Sequence, residues 1–326
     1  MKYLNCWIVK FLKDRRRIME NTNQRVKFLD VGHGDSSIIY LDDNGSESVI
    51  IIDIVNSDKL LSELENNNIK IIDLIIISHS DADHCRGVND FLEKFDKFGI
   101  VKSICFNLDR RNPTQTMRLF LKKFIEIHKR QQIELLSGQN ETSIQKRKLI
   151  SSDNSKLFLL YPNVAESTDA YLNDDTNNTS IVCLLENEIC NVLFSGDLEE
   201  SGWKKLLERM PDLKCDVLKM PHHGAFYDGK KGISLNKILE ILNPKEVIIS
   251  SGDNQKYRHP EKRTIELLMG KNIKIYCTEF TSLCHCEISE FQRKCYGDIE
   301  IAISDRTYEV KTETDNVLFL NHIACQ

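Results

Sequence analysis

No stretch of this 326-residue chain approaches the roughly 18 consecutive apolar residues that a membrane-spanning helix requires. The most apolar runs, Val49–Ile52 and Leu74–Ile77, are only strand-length, which excludes a helical membrane channel. A positive excess is also missing. The formal net charge is −5, so a polyanionic partner would have to be met by a local basic patch or by metal, not by a global field. The N-terminus, MKYLNCWIVKFLKDRRR, places its basic cluster after a short, interrupted apolar stretch, the reverse of a secretory leader. Linker composition is absent between Arg25 and Leu268, and no internal repeat is visible. The 11 cysteines are odd in number and scattered over a chain too long to need disulfide staples, so reduced thiols in a cytoplasmic protein are expected. Cys284-His285-Cys286 lacks the C-x₂-C spacing of a structural zinc site. With Cys277 and Cys295, and with His322 and Cys325 further on, it reads as reduced, partly buried thiols.

What is present is the composition of a globular core, 41% hydrophobic and 29% charged. Residues 1–24 read as an extension, with a short amphipathic helix and a membrane-surface role as the alternative for it. Residues 25–326 read as one domain with a C-terminal β tail from about 279. Short β-branched runs open the domain at Val26–Val31, Ser37–Leu41 and Val49–Ile54, the last two joined by the hairpin turn Asp42-Asp43-Asn44-Gly45. Ile71–Ser78 is a continuous apolar run suited to a strand covered on both faces. Beyond Leu198 helix and strand alternate, which implies helices packed over a sheet. Two sheets face to face with helices outside are therefore expected. The polar stretch Asn163–Asn178 reads as a long exposed loop, and Asp298–Ile303 with Tyr308–Thr312 as a terminal strand pair that could offer a partner-binding edge.

Chemistry concentrates where apolar strands end. His79-Ser-Asp-Ala-Asp-His84 follows Ile71–Ser78 directly, so two imidazoles and two carboxylates stand at a core edge within six residues. Such groups require compensation, and a divalent cation supplies it. In an extended turn, positions 79 and 81 face one side and 83 and 84 another, so that one loop feeds two ions. The competing reading is that Asp81 or Asp83 caps the helix near Val88, which leaves the two histidines unexplained. Asp197, in Ser195-Gly-Asp after the strand Val192–Phe194, is aimed at the same kind of edge; alone it could equally cap the next helix. In Pro221-His222-His223-Gly224 a proline ends the strand and a glycine turns it, exposing two histidines that could otherwise be a solvated loop pair. His259, before Pro260, is by itself an ordinary loop residue.

Taken in order, Asp30-Val-Gly-His-Gly-Asp35, His79-Ser-Asp-Ala-Asp-His84, Asn178-Thr-Ser180, Ser195-Gly-Asp197, Pro221-His-His-Gly224 and Tyr257-Arg-His-Pro260 resemble the metallo-β-lactamase domain of ComEC-type competence proteins and their free-standing relatives. The resemblance runs from Arg25 to about Thr278. It implies an α/β fold, a four-layer αβ/βα sandwich, with a metal centre at one sheet edge. On the family's motifs His79, Asp81, Asp83, His84, Asp197 and one of the His222-His223 pair, with His223 the favoured one, fall as metal ligands, for one or two divalent ions. Asp83, His222 and His259 fall as catalytic or substrate-contacting groups. Two departures stand out. A further metal histidine of the wider superfamily is missing; His128, on a predicted amphipathic helix, is expected to be solvated, leaving Asn178 or water in that place. His33 stands where the family has Gln, either as an added contact or as a neutral change.

The expected function is metal-dependent hydrolysis of an ester, a phosphodiester first, with nucleic acid as the leading substrate class. A bound divalent cation lowers the pKa of its water toward about 7. Asp81, in place of a commoner histidine, shifts preference toward manganese, although zinc wins on raw affinity. Hydrolysis of a small phosphoester or other ester is the alternative within enzymes, and a catalytically weak metal-binding interaction module is the alternative outside them.

Overall fold

The computed structural model describes residues 24–43, 46–107, 115–141, 145–173, 175–252, 259–279 and 297–313. The expected N-terminal helix, Tyr257, Arg258, the Cys284–Cys295 group, His322 and Cys325 lie outside the described residues.

Among the described residues, fifteen strands form two mixed sheets. The first contains β1 (Gln24–Phe28), β2 (Ser37–Asp43), β3 (Ser46–Ile52), β4 (Ile71–Ile77), β5 (Ile100–Phe106), β6 (Glu134–Ser137), β14 (Ile299–Ile303) and β15 (Tyr308–Thr312), in the order β15-β14-β1-β2-β3-β4-β5-β6. The second contains β7 (Arg147–Ser151), β8 (Ser155–Tyr161), β9 (Val182–Asn187), β10 (Val192–Phe194), β11 (Val217–Lys219), β12 (Glu246–Ile249) and β13 (Lys274–Cys277), in the order β13-β12-β11-β10-β9-β8-β7. β4 shows why its sequence is nearly all apolar. Ile75 and Ile77 pack under the helices, whereas Leu74 and Ile76 face the opposite sheet. With both faces covered, alternation disappears. Val26, Phe28, Ile50 and Ile76 of the first sheet meet Leu157, Val192, Phe194 and Ile248 of the second in one shared core.

Helices close the outer faces. In Val88–Phe95 the buried residues are Val88, Phe91, Leu92 and Phe95, and in Leu235–Leu242 they are Leu235, Ile238, Leu239 and Leu242. Each is a three- and four-residue stripe laid on a sheet, and each large side chain so buried contributes roughly 1.5–3 kcal/mol. The result is the four-layer αβ/βα sandwich that the resemblance implied. Among the described residues no helix is long and apolar enough to cross a membrane, and the six described cysteines are buried.

Two expectations are corrected and one is met. Asn163–Asn178 is not a long loop. Asn163 accepts from the Glu166 amide at 2.8 Å, Glu166 accepts from the Asn163 amide at 2.6 Å, and this capping box starts a helix at Val164–Leu172. The terminal strand pair forms as expected: β14 and β15 are antiparallel partners, β14 also pairs with β1, and β15 is the outermost strand on that side of the first sheet. Although the sequence shows no repeat, the architecture does. The pairings of β14, β1, β2, β3, β4, β5 and β6 recur as those of β7, β8, β9, β10, β11, β12 and β13, three antiparallel and then three parallel. Equivalent loops follow β3 and β10, and β4 and β11, so residues from both halves meet at one edge.

Candidate metal centre

The motifs around Asp35, His79–His84, Asp197, His222-His223 and His259 come together at this edge. Asp197, after β10, is its hub. Its Oδ1 lies 3.2 Å from His84 Nε2, and its Oδ2 lies 3.8 Å from His79 Nε2, 3.9 Å from His223 Nε2 and 4.0 Å from His222 Nε2. Asp83 Oδ2 is 3.5 Å from His223 Nε2 and 3.0 Å from His33 Nε2. Asp81 stands at the rim, 43% exposed, with Oδ2 3.9 Å from His79 Nε2. His79, His84 and Asp197 form one group whose ligand atoms lie within 4.8 Å of one another, and His33, Asp83 and His223 form another. The expected split of 79 and 81 from 83 and 84 is thus corrected. A helix begins at Ala82, which turns Asp83 away from His84 and returns the His84 ring to within 4.1 Å of the His79 ring. Asp81 is the N-cap of that helix but its side chain makes no capping hydrogen bond, which removes the capping alternative for it.

The imidazoles are held from behind. His84 Nδ1 is 2.7 Å from Asp53 Oδ2, His223 Nδ1 is 3.0 Å from the Ser250 carbonyl, and His79 Nδ1 is 3.2 Å from Ser78 Oγ. Ser78 Oγ donates to Asp53 at 2.7 Å, so it accepts from His79. With their Nδ1 atoms engaged from outside, all three rings turn Nε2 inward, the orientation of metal-ligating histidines. His79 Nε2, His84 Nε2, His223 Nε2 and Asp197 Oδ1 are buried, and none is aligned for a hydrogen bond. Leaving each of them unsatisfied costs about 1–3 kcal/mol. A cation among them removes that cost, and the donor set of imidazole and carboxylate fits one or two divalent ions.

The electrostatics agree. Burial works to raise the Asp197 pKa, but the imidazoles of His84, His223 and His79 outweigh it and hold the carboxylate well below its ordinary range. Burial likewise opposes ionisation of Asp83 and is overcome by His223 and His33. Burial and the neighbouring His84 push His79 down to about 4. Around the mouth, His222 is raised: burial opposes this, and Glu199, 3.4 Å from Nδ1, with Asp197 prevails. His259, its ring 5.2 Å from that of His222, is lowered to about 4 by burial and by His222 and His223.

The backbone of the Pro221–Gly224 turn explains how two adjacent histidines serve different places. His222 (φ 47°) and His223 (φ 53°) are both left-handed, a conformation that costs non-glycine residues of order 1–3 kcal/mol. His223 is 1% exposed and reaches the centre, whereas His222 keeps 24% of its side chain at the mouth. Asn178, the suggested stand-in for the missing histidine, turns its side chain to other partners. Its Oδ1 accepts from the Glu199 and Gly202 amides and its Nδ2 donates to Asp175 and Ser201, so it organises the loop around Asp197 from behind. His128 is exposed on its helix as expected, bonded to the Ile133 carbonyl.

Three participants were missed. Asp53 and Lys219 were not singled out, and Asp35 was noted only as part of a motif. Lys219 is 3% exposed within the apolar run of β11, and its ammonium sits 2.8 and 2.9 Å from the two oxygens of Asp35. A lysine in a buried strand needs such a partner, and that was the available signal. Asp35 in turn stands 3.8 Å from both His84 Nδ1 and His223 Nδ1.

Gly34 fits the loop to the centre. At φ 129° a Cβ there would stand 2.4 Å from the Asp83 carbonyl oxygen. Gly34→Ala is expected to lower the melting temperature by several degrees and weaken metal retention, because backbone, not a flexible side chain, must give way. Unchanged melting and metal content in that variant would mean that the loop is not clamped.

Residues 30–253 match the model of the metallo-beta-lactamase superfamily. The chain belongs to that superfamily. It is 26% identical over 219 residues, 66% of its length, to ComE operon protein 3 of Bacillus subtilis strain 168, and spans 24% of that larger protein. Among solved structures it is similar to the metallo-beta-lactamase fold protein YhfI of Bacillus subtilis, with TM-score 0.49, 10% identity and coverage of 79% of this chain and 98% of that one. It is also similar to the short form of human tRNase Z, with TM-score 0.45, 13% identity and coverage of 78% and 95%.

Proposed function

We propose that this superfamily member is a metal-dependent hydrolase of phosphodiesters, with nucleic acid as the leading substrate class. One observation carries the reading. The ligand atoms of His79, His84 and Asp197 lie within 4.8 Å of one another and those of His33, Asp83 and His223 form a second such group, and the Nε2 atoms of His79, His84 and His223 and Asp197 Oδ1 are buried without hydrogen bonds. His79, His84, Asp197, Asp83 and His223 are the residues that would hold a cation, with Asp81 at the open side. When bound, a divalent cation supplies an acidified water and positive charge for the oxygens of an ester. Manganese suits the carboxylate-rich side and zinc the imidazoles.

The remaining work falls to the chain. Asp197, ionised by the surrounding imidazoles, keeps the cluster near neutral charge. Asp53, Ser78 and Ser250 fix the tautomers. His222 faces the mouth and, with its pKa raised by Glu199 and Asp197, carries a proton for the leaving oxygen. His259, held neutral by burial, offers a ring N–H to a phosphate oxygen.

Elemental analysis and assay of a nitrophenyl phosphodiester, single- and double-stranded DNA and RNA, with manganese, zinc or chelator, test the proposal. Metal-restored hydrolysis that is lost in Asp83→Ala supports it. A metal-loaded protein inert on all of them would favour an interaction module, and activity confined to small esters would favour the other hydrolase reading. His222→Gln sharpens the test. With an alkoxide leaving group, kcat should fall about 10²–10⁴-fold. A nitrophenolate, which departs without a proton, should suffer far less. Equal losses on both substrates would remove His222 as proton donor.

A further inference from the structure

The loop Asp30–Ser36 enters the centre from β1, and His33 lies at its tip. His33 Nε2 is 3.0 Å from Asp83 Oδ2, which is itself 3.5 Å from His223 Nε2, and the His33 and His223 rings are 4.9 Å apart. One ligand atom from each of the three residues fits within 4.8 Å. Ligand atoms around a tetrahedral zinc at about 2.1 Å stand roughly 3.4 Å from one another, so the 3.0 and 3.5 Å separations on Asp83 are compatible with a single shell. His223 Nε2, on a residue 1% exposed, is aimed into this space with no hydrogen bond.

The loop is locked at the level of its backbone. The Asp35 amide donates to the Asp83 carbonyl at 2.9 Å, and Arg86 Nη2 donates to the His33 carbonyl at 3.0 Å. Gly34 lies against the Asp83 carbonyl, and on the other side a Cβ on Gly252 would stand 2.1 Å from the His33 amide nitrogen. The imidazole is therefore carried to Asp83 by a fixed frame. A glutamine in this position would bring an amide, a poor ligand for a divalent transition metal; an imidazole is a good one.

We propose that His33 is a metal ligand, completing with Asp83 and His223 a second cation site beside the one framed by His79, His84 and Asp197. Two imidazoles and one carboxylate make this second site zinc-preferring. The assignment rests on the reading that the centre binds divalent cations, and it goes beyond that reading by adding His33 as a ligand.

Zinc alone is the probe, with the full chain. Equilibrium dialysis of the wild-type protein is expected to give two equivalents. His33→Gln should weaken one of them by at least about 100-fold and leave the other unchanged, since loss of an outer hydrogen-bond partner alone costs 10–100-fold. Cobalt substitution should show one visible spectrum altered and one retained. A readout without any variant is the ¹⁵N resonance of His33 Nε2, which should shift on zinc addition with that of His223. If His33→Gln keeps both equivalents, the wild-type cobalt spectrum and unshifted His33 resonances while Asp83→Asn loses one equivalent, His33 only positions Asp83. The proposal then fails and the metal-centre reading survives. Wild-type protein that takes up no zinc overturns both.

Discussion

Asp197→Asn is expected to reduce metal-dependent phosphodiester hydrolysis by about 10³-fold or more, some 4 kcal/mol of transition-state stabilisation. No other carboxylate described here stands within 4.0 Å of four imidazoles. Asparagine preserves volume and can still accept a hydrogen bond, so packing is a small part of the effect. What disappears is the negative charge that neutralises a cation held by otherwise neutral rings. The same variant should lose most of the thermal stabilisation that zinc confers on the wild-type protein, which is worth about 4 kcal/mol at a thousand times the dissociation constant. Asp81→Asn is the control. Its carboxylate is 43% exposed and its nearest imidazole contact is 3.9 Å, so the loss there should be much smaller. If both variants lose activity equally, or if Asp197→Asn keeps its zinc-dependent rise in melting temperature, the hub assignment is wrong.

The centre was legible in sequence to the extent that polar residues interrupt apolar strands at their ends. His79–His84, Asp197 and His222-His223 all announce themselves in that way, because a strand has no other use for imidazoles at its terminus. How they group was not legible. Whether Asp83 joins His84 or His223 depends on a helix starting at Ala82, and that start shows only once both loops are closed on each other. Asp53 was hidden because Ile52-Asp53-Ile54 reads as one charge in a β-branched run; its left-handed φ of 61° is imposed by the turn between β3 and the following helix. β6 and β7, whose sequences carry no strand signal, are the outermost strands on one side of each sheet. Partly exposed edge strands need little apolar alternation, so they leave little pattern to read. Asn178 was misplaced for a related reason. Its position in the chain suits a ligand, but hydrogen bonds to Glu199, Gly202, Asp175 and Ser201 use its donors and acceptor elsewhere.

Asp53→Ala is expected to be the most damaging substitution outside the proposed ligands. The carboxylate is 1% exposed and receives three donors: the Ser78 amide at 2.7 Å, Ser78 Oγ at 2.7 Å and His84 Nδ1 at 2.7 Å. Removing it strands all three in the core beside a left-handed residue that alanine tolerates poorly. Breaking a buried pair by deleting one partner costs about 3–5 kcal/mol, which for a chain of this size lowers the melting temperature by roughly 10 °C. The chemical consequence is separable from the structural one. Asp53 and Asp197 together hold the His84 pKa well above its ordinary value against the effect of burial, and the Asp53 contact is also what directs Nε2 inward. Asp53→Asn keeps the size and the tolerance for positive φ, so it should recover much of the stability. Its amide can still present an oxygen to only part of this donor set, so zinc affinity should remain 10–100-fold weaker. Asparagine restoring both melting temperature and zinc affinity would show that the carboxylate matters only as a packing and turn residue. Restoration of stability alone separates the two roles and ties the tautomer of His84 to the metal.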